Sequence, residues 1–367
     1  KTDEYGYVAQ LGNDTTSIEY IKRSPRRVVG EGVEQSPRVI RKRWEAHLDS
    51  DGRIRRWSMD KTFATPLPGE SEHASYLAEY AGDSVLITER TDSGTRRFVI
   101  QDAVSVTVPW EAYTYGLYDQ MFAAAVAQSA DTVPIKQYLP GYGFAQGVIR
   151  KRSGDTLTFV TGGLAGTGIA TIDANRRMLT YSGKHTTYKH EVRRIAEAPD
   201  FEDLFNRFAA REKAAPVKSL SVRDTLRATV GAAVISIEYS RPLQRGRKLL
   251  GELVPYGVVW RTGANAATHL TTSAPISIAG IDLDAGTYTV WTLPEPDGAT
   301  LIMNRQTKIW GTRYNPKMDL GRAALVTRTL QQPVETFTFR IEPETERDAT
   351  LVMEWGTFQW SAPIRPR

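Results

Sequence analysis

The segment that decides the fold is Val39-Ile-Arg-Lys-Arg-Trp-Glu-Ala-His-Leu48. In an extended chain Ile40, Trp44, Ala46 and Leu48 share one face, and Arg41, Arg43, Glu45 and His47 share the other. Because successive side chains of a strand point to opposite sides, this period of two is typical of a β-strand with one buried and one solvated face.

Comparable segments precede and follow this strand. Turn sequences such as Gly12-Asn-Asp14, Asp49-Ser-Asp-Gly52 and Asp92-Ser-Gly94 separate them, and their spacing of roughly 8–12 residues is typical of antiparallel meanders. We therefore predict that residues 1–196 form a mostly β domain. Its architecture would be an antiparallel barrel or half-barrel.

Two helices interrupt the strands. Leu117, Met121, Phe122 and Val126 have helical spacing, so we expect one helix over about 113–128 that covers an open edge or mouth of the sheet. A second, short helix is predicted in a linker over 197–219, with Asp200 as its N-cap. Its apolar stripe follows i, i+3, i+4, i+7 and consists of Phe201, Leu204, Phe205 and Phe208. We expect this stripe to wedge between two domains or, alternatively, to dock on a partner or a membrane surface.

Residues 220–367 again predict β-strands, among them Val234–Tyr239, Gly286–Trp291 and Thr336–Ile341. A chain of this length and pattern favours a β-sandwich. The segment also carries an ordered set of motifs: Tyr239-Ser-Arg-Pro242, Leu253-Val-Pro-Tyr-Gly257, Val259-Trp-Arg-Thr-Gly-Ala-Asn265, Ala285-Gly-Thr-Tyr288 and Trp310-Gly311.

These motifs resemble a bacterial domain family of unknown function, DUF 2911, marked by its VPYG and WRTGAN signatures. The resemblance covers about 140 residues, from Ser221 to Ile364. It implies a β-rich domain found largely in exported proteins, and it implies no reaction. The N-terminal half resembles no family equally sharply.

Composition excludes several classes of protein. The chain has no cysteine, which excludes disulfides, thiolate catalysis, Cys-ligated zinc and c-type haem attachment. Its net charge of +5 is spread along the chain, with 26 basic and 24 acidic residues in 1–199 and 21 and 18 in 200–367. Nucleic-acid binders concentrate positive charge, so we expect no nucleic-acid partner.

The signature segment supplies the candidate ligand site. Three cations, Arg241, Arg247 and Arg261, fall near the ring side chains of Tyr256 and Trp260 and the amide of Asn265. Arginine offers a planar fork for carboxylate or phosphate, and aromatic rings offer stacking faces. In the alternative, purely structural interpretation, Asn265 caps a turn and Arg261 pairs with a buried carboxylate such as Glu238 or Glu354.

No catalytic, metal or cofactor motif is present. His185 and His190 are an odd number of residues apart, so on one strand they would face opposite sides. His190-Glu-Val-Arg-Arg194 lacks the second histidine of a zinc helix. We therefore expect neither a metal nor a cofactor.

Three functions follow from these observations. The first is a non-catalytic, exported interaction protein, an accessory subunit that docks on other protein subunits of a larger complex, for example a membrane-bound photosynthetic or other energy-conversion assembly. The second is a periplasmic carrier of a lipid-like or small anionic ligand. The third is a hydrolase or lyase with its site near Arg261 and Asn265. No segment approaches the roughly 20 apolar residues of a membrane span, and the start at Lys1 favours an exported, processed chain, with membrane-surface association through partners.

Overall fold

The computed structural model describes residues 2–35, 38–66, 71–101, 106–139, 143–161, 164–215 and 220–367. The chain divides into two compact units, Lys1–Lys218 and Ser219–Arg367. The predicted linker over 197–219 falls almost wholly within the first unit, and its last residues, 216–219, lie outside the described residues.

The first unit is built around one large sheet. In the described residues its strands are β1 Asp3–Leu11, β2 Asp14–Ser24, β3 Arg27–Glu34, β4 Ile40–Leu48, β5 Ile54–Phe63, β6 His73–Ala81, β7 Ser84–Thr91, β8 Gly94–Ile100, β9 Val106–Pro109, β10 Thr132–Leu139, β11 Gly143–Lys151, β12 Thr156–Thr161, β13 Leu164–Ile172, β14 Met178–Ser182 and β15 Glu191–Ile195. The order across the sheet is β8-β7-β6-β5-β4-β3-β2-β1-β15-β14-β13-β12-β11-β10-β9.

Nearly every neighbouring pair in this sheet is antiparallel and joined by a short turn, as the meander pattern predicts. Two pairings depart from that pattern: β1 pairs with the distant β15, and β9 runs parallel to β10. The described sheet begins at β8 and ends at β9. Of the two predicted forms, the closed barrel is therefore wrong and the open, half-barrel form remains.

The predicted alternation is confirmed over residues 43–48 and breaks before them, where Val39 is buried and Ile40 is only half-buried. Trp44, Ala46 and Leu48 are buried, whereas Arg43 and His47 are exposed. The predicted covering helix is α1, Tyr115–Val126, and it packs against the same buried face. At Gly116 a Cβ atom would lie 2.6 Å from the Trp44 ring, so only glycine permits this close approach of helix and sheet.

The second helix, α2, spans Phe201–Ala214 and begins as predicted. The Asp200 side chain accepts hydrogen bonds of 3.0 Å from the backbone N–H groups of Glu202 and Asp203, which satisfies two of the donors left unpaired at a helix start.

The second unit is a sandwich of two sheets, as predicted. Its strands are β16 Ser221–Val230, β17 Ala233–Pro242, β18 Thr268–Thr272, β19 Ile276–Ile278, β20 Ile281–Leu283, β21 Gly286–Glu295, β22 Gly298–Asn304, β23 Asp319–Ala324, β24 Val326–Pro343 and β25 Ala349–Pro366, with a 3₁₀ turn at Pro316–Met318. One sheet has the order β16-β17-β18-β21-β22-β23 and the other β20-β19-β25-β24. Ile237 and Leu270 of the first sheet share a core with Leu351 and Met353 of the second.

Candidate anion-binding site

The WRTGAN signature forms a tight, irregular turn between β17 and β18. Trp260 anchors its start, because its backbone exchanges hydrogen bonds of 2.7 and 2.9 Å with Thr292 of β21. Asn265 anchors its end, since its carbonyl accepts a 3.0 Å bond from Gly311 N–H. Thr262 and Asn265 have φ values of +49° and +59°, a left-handed backbone that costs energy outside glycine and is common at functional sites.

Trp260 belongs to the core. Its indole stacks on Trp355 with ring centroids 5.9 Å apart and an interplanar angle of 16°, and its Nε1–H donates to Gly263 O at 3.0 Å.

Arg261 has a packed stem and an unsatisfied guanidinium. A Cβ atom on Gly311 would lie 2.0 Å from Arg261 Cδ, so the stem occupies the space beside this glycine. Its Nε is buried without a hydrogen-bond partner, and the guanidinium forms no ion pair or hydrogen bond with any described residue. Among the described residues, Arg261 is the only one of the three predicted site cations that has no hydrogen-bond or ion-pair partner.

The carboxylates predicted to pair with Arg261 are engaged elsewhere. Glu238 accepts from Arg223 at 2.7 Å, and Glu354 is held by Arg340 and Gln359. The predicted buried ion pair of Arg261 is therefore wrong for both candidates. Burial lowers the pKa of Arg261 from its ordinary value, because the charged form has lost water and no residue in the described ranges supplies a counter-ion.

Asn265 lies at the other end of the turn with its side chain exposed. Its amide forms no hydrogen bond with any residue the structure describes, so the predicted cap is not made. An amide supplies two N–H donors and a carbonyl acceptor. The turn thus presents a guanidinium and an amide that both have unused hydrogen-bonding capacity.

The other predicted ligand residues have different surroundings. Arg241 donates to Asp224 at 3.1 Å and to Thr338 Oγ1 at 2.9 Å, and Arg247 donates to the carbonyls of Gln244 and Leu243 at 2.9 and 2.6 Å. Both therefore brace the fold. Tyr256 is exposed and packs over Gly251.

The predicted docking stripe is largely covered by its own unit. Leu204 and Phe208 are buried against Val33 and Val39, and Phe201 and Phe205 are partly buried beside the same cluster. Leu204 and Phe208 are thus not available to a partner in this structure.

The sequence did not predict a further feature of the site, a loop that contacts the signature turn in the folded structure. Residues 305–318 join β22 to β23 and contain four basic residues and no acidic one: Arg305, Lys308, Arg313 and Lys317 are the basic residues. We call residues 305–318 the basic loop. It reaches the signature turn at Gly311, whose N–H donates to Asn265, and at Ile309, whose carbonyl accepts from Ala267 N–H at 3.1 Å. A count of charges in short windows would have found it.

Two absences concern only the residues that the structure describes. Within them, no group of three or more His, Asp or Glu side chains is placed to hold a metal ion. Neither of the helices in these ranges is long and apolar enough to cross a membrane.

Comparison with known proteins confirms the resemblance in the second unit. Residues 221–364 match the family described as "Protein of unknown function (DUF2911)". No curated protein matches the chain.

Two solved structures show weak similarity. A DUF1089 family protein from Pseudomonas aeruginosa is 9% identical, with 47% of this chain and 92% of that chain covered and a TM-score of 0.35. A structure concerning cell entry of botulinum neurotoxin type C is 8% identical, with 100% and 88% covered and a TM-score of 0.11. Similarities at these TM-scores say nothing about function.

Proposed function

We propose that the second unit is a non-catalytic binding module that holds a carboxylate or phosphate group of its ligand at Arg261. The observation that carries this proposal is the guanidinium itself, which has a buried Nε and no partner among the described residues. A polar group that is buried without a hydrogen bond is costly. An incoming anion would supply the missing acceptor.

The chemistry of the turn favours a planar or tetrahedral oxyanion. Arginine presents parallel N–H donors that match two oxygens of a carboxylate or phosphate. The amide of Asn265 adds a donor from the same turn. The Arg261 stem and the backbone carbonyl of Asn265 both lie against Gly311. The packed stem of Arg261 restricts its rotation, so less entropy is lost when the anion binds.

The alternative of a hydrolase or lyase at Arg261 and Asn265 has less support. Acid–base chemistry needs titratable groups positioned for proton transfer. The titratable residue closest in sequence after the turn is His269, whose Nε2 accepts a 2.8 Å hydrogen bond from Lys308 N–H. That bond occupies the Nε2 lone pair of the ring.

The alternative of a lipid-like ligand inside the first unit also has less support. Trp44, Met121 and Phe122 are buried together where such a ligand would lie between helix and sheet. Of the two ligands that the carrier hypothesis allowed, we therefore retain the small anion.

Phosphate binding by the full-length chain tests the proposal. Line broadening of inorganic phosphate in ³¹P NMR, measured at constant ionic strength, gives its Kd. We expect Arg261→Gln to weaken binding at least tenfold. Arg328→Gln is the matched control, because Arg328 is exposed and has no ion pair among the described residues. Equal binding by the two variants would remove the proposal.

Docking as an exported accessory subunit is the second proposal, and the exposed turn at Tyr256–Val258 favours it. Tyr256 and Val258 are 40% and 54% exposed, and apolar and aromatic side chains of this kind are enriched where protein surfaces meet. Native separation of gentle extracts from the source cells would detect a larger assembly. Val258→Asp should release a free species, and an unchanged assembly would argue against this surface.

A further inference from the structure

We infer that the basic loop, residues 305–318, docks on an anionic membrane surface and that the lipid phosphate is the anion held at Arg261. This inference rests on the proposed anion site and names the source of its ligand. It is carried by the charge, the exposed aromatic residue and the internal bracing of the loop.

The charge of the loop is uncompensated. Arg305, Lys308, Arg313 and Lys317 are exposed, and none of them forms an ion pair with a described residue. The sequence contains no acidic residue from Ala299 to Met318. A cluster of unpaired cations is attracted to the negative potential of anionic lipid headgroups.

The first acidic residue after the loop does not neutralise it. Asp319 accepts hydrogen bonds from Asn304 at 2.8 Å, from Tyr314 at 2.7 Å and from Arg322 at 2.8 Å. The Asp319 carboxylate is thus already bonded to residues at the base of the loop, and it pairs with none of the four loop cations.

An exposed tryptophan lies in the middle of these cations. Trp310 is 52% exposed and adjoins Gly311, against which the Arg261 stem packs. The same loop exposes 37% of Met318. Tryptophan is enriched at membrane–water interfaces because its ring is apolar and its N–H is polar, so Trp310 suits insertion at headgroup depth.

The loop is braced from within. The Gln306 side chain donates to Arg313 O at 3.0 Å and accepts from Asn315 N–H at 2.7 Å. The buried Asn304 donates to Asn315 O at 2.9 Å, and His269 accepts from Lys308 N–H. Because these bonds hold the loop in shape, docking requires little further ordering.

A nucleic-acid partner fits these observations less well. Nucleic-acid surfaces carry a stripe of cations that follows the phosphate backbone, commonly with several aromatic residues for bases. Here one exposed tryptophan and four exposed cations lie on a single loop. That arrangement combines shallow insertion with charge attraction, which is the recognition mode of a lipid surface.

Vesicle co-sedimentation of the full-length chain tests the inference. The probes are vesicles of phosphatidylcholine alone and of phosphatidylcholine with roughly a third phosphatidylglycerol, at low salt, where charges act over about 30 Å, and at 1 M salt, where they act over about 3 Å. We expect binding only to the anionic vesicles at low salt. Trp310→Ala and the double variant Lys308→Gln/Arg313→Gln should each weaken it about tenfold, and Arg328→Gln should not.

The outcomes separate this inference from the proposed function. Phosphate binding at Arg261 without vesicle binding would overturn the membrane inference alone. Unchanged phosphate binding by Arg261→Gln would overturn the proposed function, and this inference with it. Binding to a duplex DNA oligonucleotide in place of anionic vesicles would overturn the inference in favour of a nucleic-acid surface. Both loop variants alter exposed side chains, and an unchanged thermal transition confirms that they fold.

Discussion

Glu19 is a buried acid whose two oxygens are both occupied. One accepts from Trp44 Nε1–H and the other from Gly116 N–H, each at 2.7 Å. Burial raises the pKa of Glu19 to about 7, against the opposing effect of these two hydrogen bonds. The residue joins β2, β4 and α1, so its protonation is coupled to the packing of the helix on the sheet.

Glu19 makes the stability of the first unit dependent on pH. Between its unfolded pKa of about 4.3 and its folded pKa of about 7, the folded state holds a proton that the unfolded state has lost. This contribution is fully present below the unfolded pKa, and it falls as the pH rises through the folded pKa, by about 1.4 kcal/mol per pH unit. Glu19→Gln should abolish that slope in urea unfolding measured from pH 5 to pH 8.

The Glu19→Gln test compares the change of unfolding free energy with pH, and the absolute stability of the variant does not decide it. Glutamine has one acceptor oxygen where Glu19 uses two, so the variant should be less stable at pH 5. A wild-type slope retained in the variant would assign the pH dependence to other groups. Glu45→Gln is the control, because Glu45 lies on the outer face and its hydrogen bond with Arg27 lowers its pKa.

At the scale of elements, a buried ionic cluster ties the start of α1 to the sheet. Glu111, just before the helix, accepts from Lys61 of β5 at 2.6 Å and lies 3.2 Å from Lys42 of β4. Lys42 also pairs with Glu34 at 2.5 Å. Lys42 and Lys61 lower the pKa of Glu111 despite its burial. Such clusters are costly to break, because each ion has given up its water.

Removing the charge of Glu111 should therefore be severe. Glu111→Gln leaves the buried Lys61 ammonium without a carboxylate, and we expect a loss of about 3–5 kcal/mol in the unfolding free energy of the first unit. Glu79→Gln is the control, since the Arg56–Glu79 pair is half exposed and 3.9 Å long, and it should cost less than about 1 kcal/mol. A cost for Glu111→Gln as small as that of the control would show that water reaches the cluster.

For the whole molecule, the sequence predicted the features that depend on residues close together along the chain. Alternation in residues 39–48 identified the buried face, the apolar spacing around Met121 identified α1, and the signature motifs identified the second unit. The order of the strands across the sheet was beyond local patterns, because it depends on β1 pairing with β15, more than 180 residues away. No periodicity within either strand encodes that choice.

The candidate site was predicted only in part, because its side-chain partners also depend on how distant strands pair. The sequence selected Arg261 and Asn265 but also expected a carboxylate partner for the arginine. Whether Glu238 reaches Arg261 or Arg223 depends on the register between β16 and β17, which places Thr225 opposite Glu238 and brings Arg223 within reach. Only the folded sheet shows that none of the described carboxylates pairs with Arg261.

The most direct test of this central claim is a crystal structure of the full-length chain grown with tungstate, a tetrahedral oxyanion located by its anomalous scattering. We predict a peak within hydrogen-bonding distance of the Arg261 guanidinium and the Asn265 amide, and its absence from crystals of Arg261→Gln. A site without tungstate, with Arg261 closed onto a carboxylate of its own chain, would show that this arginine has a purely structural role.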